Sequence, residues 1–351
     1  MFEVLTSPLI KTRPSASFLL VALLLSLLLS GCREPPKSLI LTGKTMGTTY
    51  RIILAKPDTS LHLKQLQESI NNELVKINQL MSTYIEDSEI SRFNRATTNE
   101  WFQLSPETYE VLNYSLSLSA QTEGKFDITV GPLINLWGFG YPNKEGLPSD
   151  IEIAAVMPMI GWQFIELNPS VLQARKNKPL SIDMSAVAKG YGVDHIAALL
   201  DKWLIKDYLV EIGGEIKVKG TNNQNQQWRI GIETPSLHQS GAQQVIALNN
   251  RAVATSGDYR NFFEKEGVRY SHTIDPMTGK PVVHNIASLT VISNSAMEAD
   301  GLATALMAMG EQKALGLSKK HNIPIYILLY KGKQFTSVHS PAFAEYLSPK
   351  H

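Results

Sequence analysis

Asp300 and Thr304 stand four residues apart in a stretch that reads as a capped helix, which places a carboxylate and a hydroxyl on one face within its first turns. A hard cation can bridge such a pair, because ions of the magnesium kind prefer oxygen ligands and complete their shell with water and phosphate. The plainer alternative is an Asp favoured by the macrodipole near a helix N-terminus, with a Thr facing solvent. His272 stands in Ser271-His272-Thr273-Ile274-Asp275-Pro276. Imidazole is the side chain whose unperturbed pKa lies nearest neutrality, the property of a general base that takes a proton from a hydroxyl. The alternative is a histidine packed at a strand end on a backbone hydrogen bond. Asp275 and Pro276 read as the turn that fixes this loop, with Asp275 capping backbone rather than acting as an acid. A helix opening near Ser185, after Asp183, offers free N–H groups to an anion, and Lys189 adds positive charge one turn in. Asp183 serves equally well as that helix's N-cap. Gly213-Gly214 would let another main chain approach closely.

Several elements must hold these residues in place. Leu63, Leu66, Ile70, Leu74, Ile77 and Met81 recur at steps of three and four, the apolar stripe of an amphipathic helix. Ser105-Pro106-Glu107 predicts an N-cap with Pro at the first helical position, opening a second helix that stops by Gly124. The runs 245–248 and 252–255 predict a hairpin about Asn249-Asn250, and a second hairpin is expected around Lys331-Gly332, between 325–330 and 334–338. Residues 289–292 read as a strand, and Ser295 with Glu298 as a capping box for a helix that runs to about Met309 and stops at Gly310. Hairpins interleaved with helices predict an α+β fold, a single mixed domain of antiparallel strands with packed helices and room for two lobes, rather than a doubly wound parallel sheet. No repeat and no Pro/Gly/Ser-rich linker divides residues 40–345. With no GxGxxG after a strand and no GxxxxGKS/T, neither the Rossmann nor the P-loop cradle is available for phosphates.

The chain has 351 residues, 43% apolar and 19% charged, with a formal net charge of +1. That balance excludes disorder of the whole chain, and scattered basic residues argue against a nucleic-acid partner. The long apolar run over 18–29 follows Lys11 and Arg13 and is too short to span a bilayer comfortably, so it reads as a signal sequence and a polytopic membrane protein is excluded. Leu29-Ser30-Gly31-Cys32 resembles the bacterial lipobox, in which the cysteine carries acyl chains, palmitate among them, and becomes the new N-terminus. The alternative is a single-pass signal anchor with a bystander cysteine. The lipobox reading divides the chain into a signal peptide over 1–31, a lipid-anchored tether over 32–40 and one domain over 41–345. Cys32 is the only cysteine, so an acylated chain keeps no thiol for catalysis, disulfides or metal binding.

Segments rich in Gly, Asp and hydroxyl residues follow one another along the chain. They are Thr45-Met46-Gly47-Thr48, Ser82-Thr83-Tyr84, Phe126-Asp127-Ile128-Thr129-Val130-Gly131-Pro132-Leu133, Ile182-Asp183-Met184-Ser185-Ala186-Val187-Ala188-Lys189-Gly190-Tyr191, Glu211-Ile212-Gly213-Gly214-Glu215, Thr255-Ser256-Gly257, the run 271–279 and the run 298–304. In this order they resemble the ApbE family, the FAD:protein FMN transferases, over nearly the whole chain beyond the export segment. The resemblance implies an ApbE-like, T-fold-related fold and a Mg²⁺-dependent reaction. In it FAD is cleaved at its pyrophosphate, FMN is joined through its phosphate to a Thr or Ser hydroxyl of an acceptor protein, and AMP leaves. It also implies acceptors among membrane redox complexes, notably subunits of sodium-translocating NADH:quinone reductase and its electron-transport relatives. The chain is then expected to be exported and lipid-anchored on the periplasmic side of the inner membrane, with the outer membrane left open.

Carried over residue by residue, the resemblance makes His272 the general base and gives magnesium to Asp300, Thr304 and the main-chain carbonyl of Ala186. Asp183 would contact FAD, and Met46, Tyr84, Lys125, Phe126, Asp127, Lys189 and Ile274 would line the dinucleotide. Phe126, Ile274 and Trp137 also suit an ordinary core. Some relatives carry a second carboxylate where Ala303 stands, so less charge is expected at this metal site. Two other functions fit the same residues: a Mg²⁺-dependent FAD pyrophosphatase, in which water replaces the acceptor, and a lipoprotein that binds FAD without cleaving it.

Overall fold

In chain order, β1 (Leu39–Thr45) and β2 (Thr48–Leu54) precede helices α1 (Leu63–Met81) and α2 (Glu89–Arg95), the short strand β3 (Phe102–Gln103), and helices α3 (Pro106–Gln121), α4 (Gly131–Leu136) and α5 (Asp150–Val156). Strands β4 (Ile165–Asn168) and β5 (Gln173–Lys176) lead into the long helix α6 (Ser185–Lys202). Then come β6 (Tyr208–Ile212), β7 (Glu215–Lys219), β8 (Trp228–Glu233), β9 (Ala242–Leu248) and β10 (Arg251–Gly257). Two small hairpins follow, β11 (Phe262–Lys265) with β12 (Val268–Ser271) and β13 (Ile274–Asp275) with β14 (Lys280–Pro281). The chain finishes with β15 (Ile286–Ser293), α7 (Ala296–Met309), α8 (Glu311–His321), β16 (Ile325–Lys331) and β17 (Gln334–His339). This computed structural model describes residues 37–139, 147–233, 241–257, 262–265, 268–332 and 334–347. The export segment, Cys32 and the first part of the expected tether lie outside them.

Eight strands form the main sheet in the order β1-β2-β6-β7-β10-β15-β16-β17, and every neighbouring pair is antiparallel. Alternation along the strands assigns the two faces. Tyr50, Ile52 and Leu54 of β2 and Val210 and Ile212 of β6 meet Leu66, Ile70 and Leu74 of α1 and Val193, Ile196 and Leu200 of α6. Each of these side chains stabilises the fold by about 1.5–3 kcal/mol when taken out of water. The opposite face buries Leu209, Val218 and Val253 against Trp228, Ile230, Ile232, Ile246 and Leu248 of the separate β8–β9 pair. Helix α7 is buried along almost its whole length, from Ala299 to Ala308 apart from Thr304, and packs on α6, β10 and β15. The α+β architecture is the one the hairpin and helix signals predict.

The apolar stripe of α1 buries Leu66, Ile70, Leu74, Ile77 and Met81, while Leu63, in the first turn, stays exposed. Ser105 caps α3 as expected, its hydroxyl accepting from the Thr108 N–H at 3.2 Å, with Pro106 in the first turn. The predicted hairpin about Lys331-Gly332 is β16 paired with β17. Two local expectations need correction. Asn249-Asn250 does not close a hairpin: β9 pairs with β8, whereas β10 has both edges taken by β7 and β15. A polar two-residue turn therefore connects strands of different sheets, with Asn250 at φ 50° and its side chain accepting from the Gly220 N–H. The capping box at α7 is half formed. Ser295 accepts from the Glu298 N–H at 3.2 Å, but the Glu298 carboxylate takes the Ser293 hydroxyl instead of reaching back to the cap.

Candidate active site

One cavity of about 820 Å³ draws its walls from α6, the β6–β7 turn, the end of β10, the segment between β12 and β13, and α7. At the β6–β7 turn Gly213 and Gly214 have φ of 64° and 109°, a left-handed backbone that disfavours side chains. Gly213 donates its N–H to the Thr49 carbonyl at 3.1 Å, and a Cβ there would fall 2.9 Å from Thr48 Cγ2. The atoms an added Cβ would meet there belong to the Thr48 and Lys189 side chains rather than to another main chain.

The floor of the cavity is acidic. Asp300, 4% exposed, accepts from Lys189 Nζ at 3.4 Å and from the Gly190 N–H at 3.0 Å. In a regular helix the Gly190 amide serves the carbonyl of Ala186, so Asp300 competes for the donor of the one main-chain oxygen expected to face a cation. Lys189 also lies 3.2 Å from Glu215 Oε1. Burial works against the Lys189 ammonium, but the carboxylates of Asp300 and Glu215 outweigh it and hold its pKa above the ordinary lysine value. Burial raises both acids. The nearby Asp300 carboxylate adds to the rise at Glu215, against the pull of the Lys189 ammonium. Thr304 interrupts the buried face of α7 and lies 3.4 Å from the Ser256 hydroxyl.

Helices α6 and α7 can cross closely enough for these contacts because residue 190 is glycine: an added Cβ would fall 2.2 Å from the Ala296 carbonyl oxygen. The N-cap of α6 is Met184 rather than Asp183, which stands one residue before it, accepts the Ser185 N–H at 2.8 Å on Oδ1 and lines the cavity. No group of three or more His, Cys, Asp and Glu side chains among the described residues is placed to hold a metal. Asp300, Thr304 and Ala186, the residues expected to offer oxygens to a cation, all line the cavity.

His272, Thr273, Ile274 and Pro276 form another wall. The imidazole packs edge-on against Phe139, with centroids 6.3 Å apart. Asp275 holds the loop as expected, accepting the Met277 N–H at 3.0 Å, and also pairs with Lys125 Nζ at 2.7 Å. Trp137 is buried and donates its indole N–H to the Gly279 carbonyl at 2.8 Å. Asp127, though it lines the cavity, is buried in structural bonds, accepting from the Thr129 N–H and hydroxyl and from the Trp162 N–H. Burial raises its pKa against those three donors.

The structure thus brings Lys125, Phe126, Asp127, Asp183, Ala186, Lys189, His272, Ile274, Asp300 and Thr304 to one cavity. Met46 and Tyr84 stand outside it. Met46 sits in the tight β1–β2 turn at φ 48° and packs beside Gly192, where a Cβ would meet its Cε at 2.8 Å. Tyr84, in the connection between α1 and α2, is 77% exposed. Glu215, Thr255 and Ser256 line the cavity without having been assigned a role. Their signal was the placing of an acid directly after two glycines, and of two hydroxyls before one.

Residues 46–327 match the model of the ApbE family. The chain is 44% identical over 331 residues to an FAD:protein FMN transferase of Vibrio cholerae, covering 94% of this chain and 98% of the relative. It is 37% identical over 345 residues to the Escherichia coli K12 protein of the same name, again covering 94% and 98%. Among solved structures it is similar to the flavin transferase ApbE from Vibrio cholerae, with a TM-score of 0.83 at 41% identity over 89% of this chain and 100% of that one. The ApbE protein of Thermotoga maritima gives 0.78 at 29% identity, over 89% and 100%. With the match running through every segment that lines the cavity, the chain belongs to the ApbE family.

Proposed function

We propose that this protein is a Mg²⁺-dependent FAD:protein FMN transferase. The hydroxyl oxygen of an acceptor Thr or Ser attacks the FMN phosphorus of FAD, the bond from that phosphorus to the bridging oxygen breaks, and AMP departs with the bridging oxygen. His272 takes the hydroxyl proton. Lys125 and Asp183 border the space for the dinucleotide. The N–H groups of Ser185 and Val187 that open α6 are already given to Asp183 and the Met184 carbonyl, so Lys189 is the group of this helix that would offer positive charge to the phosphates. Asp300, Thr304 and the Ala186 carbonyl would hold magnesium, whose oxygen preference they suit. When bound, the ion neutralises charge that develops on the pyrophosphate. The observation that carries this reading is the convergence of His272, Asp183 and the Asp300–Thr304 pair on one cavity from segments far apart in the chain. Residues 1–31 are read as a lipoprotein signal and Cys32 as the acyl anchor, which would set the site beside membrane-bound acceptors on the periplasmic side. Subunits of sodium-translocating NADH:quinone reductase have the exported flavin sites such an enzyme would serve.

The test is incubation of the protein with FAD, Mg²⁺ and acceptor subunit, followed by in-gel flavin fluorescence. His272→Ala should keep FAD binding and lose covalent transfer by about 10²–10⁴-fold, the range of general-base catalysis. Transfer at the wild-type rate would remove His272 from the role. Flavin found free as FMN rather than on the acceptor would turn the reading to a pyrophosphatase.

A further inference from the structure

Glu215 opens β7 directly after the Gly213-Gly214 turn, which carries its side chain into the protein, where the residue is 4% exposed. Its two carboxylate oxygens fare differently. Oε1 lies 3.2 Å from Lys189 Nζ, whereas Oε2 is buried with no hydrogen-bond partner. A buried acceptor left unsatisfied is destabilising, and more so when charged. The same ammonium also serves Asp300 at 3.4 Å. One cation therefore stands between two buried acids, and Glu215 keeps an unpartnered oxygen beside the cavity that Asp300 and Thr304 line. A phosphate cannot answer that need, because it is an anion. A divalent cation answers it, because it seeks oxygen and binds the carboxylate with release of its proton.

We infer that Glu215 is a further cation-holding residue of this site, its free carboxylate oxygen reaching, directly or through one water, the divalent ion that Asp300 and Thr304 bind. Lys189 is then a spacer that keeps the two carboxylates apart. This inference rests on the cation reading proposed above, and it makes the site less poor in charge than Ala303 alone suggests.

The test uses Mn²⁺ alone, titrated into the full chain without FAD or acceptor and followed by the loss of its free-ion electron paramagnetic resonance signal. Glu215→Gln should weaken Mn²⁺ binding by roughly 10- to 100-fold while leaving the metal-free unfolding midpoint no lower than wild type. Glu215→Asp, one methylene shorter, should fall between the two and serves if the Gln variant does not fold. Wild-type Mn²⁺ affinity in Glu215→Gln, together with its loss in Asp300→Asn, would overturn the role of Glu215 and leave the cation reading standing. Failure of the wild-type protein to bind Mn²⁺ would overturn both.

Discussion

The Glu215–Lys189–Asp300 group sets two buried acids against one partly exposed base, and its electrostatics make the metal-free protein sensitive to pH. Burial pushes the Glu215 carboxyl up to about 8. A group whose pKa is higher in the folded chain than in the unfolded one favours folding while it is protonated, and that contribution is lost as pH rises through the folded value. The metal-free protein should therefore lose stability between the ordinary carboxylate range and about pH 8. Glu215→Gln stays neutral throughout and should flatten that part of the curve, as measured by urea midpoints at several pH values. An identical pH slope in the two proteins would show that Glu215 ionises in the folded chain as it does in the unfolded one.

At the scale of elements, the site depends on how closely α6 and α7 cross. Gly190 meets the backbone of Ala296 and Met297, which cannot move aside as a flexible side chain can. Gly190→Ala should push the two helices apart, cost about 1–3 kcal/mol or more as overpacking does, and lengthen the Gly190 N–H to Asp300 bond. Gly301 offers a control on α7, since its added Cβ would meet only side-chain atoms of Leu118 and Tyr114, at 2.9–3.1 Å. Urea unfolding of Gly190→Ala and Gly301→Ala should rank the first as the more damaging. The reverse order would mean that the helix crossing has slack.

Across the whole molecule, the cavity is assembled from contacts that span the chain. Lys125 and Asp275 are 150 residues apart, and Lys189 and Asp300 are 111 apart. Long-range closure of this kind ties the site to completion of the sheet and its helical layer rather than to any local segment. The proposed anchor lies at the other extreme, in a short N-terminal stretch. Cys32→Ser should shift the protein from the membrane pellet to the soluble fraction while flavin transfer to a soluble acceptor continues at the wild-type rate. A Cys32→Ser protein that still sediments with membranes would overturn the acyl anchor.

Local order was legible in the residues themselves. The stripe from Leu66 to Met81, the Ser105 and Ser295 caps and the Gly310 stop need only neighbours a few positions away, so the sequence by itself determined those helices and the α+β character. Partners across the fold were another matter. Alternation reports which face a strand buries but not which strand lies beside it, so Asn249-Asn250 looked like a hairpin and proved to be a crossing between sheets. Met46 and Tyr84 belong to matching motifs, yet neither is among the residues that line the cavity, one standing in a tight turn and the other in an exposed connection. The bare oxygen of Glu215 was decided by tertiary structure alone, because burial is set by what the rest of the chain packs around a residue.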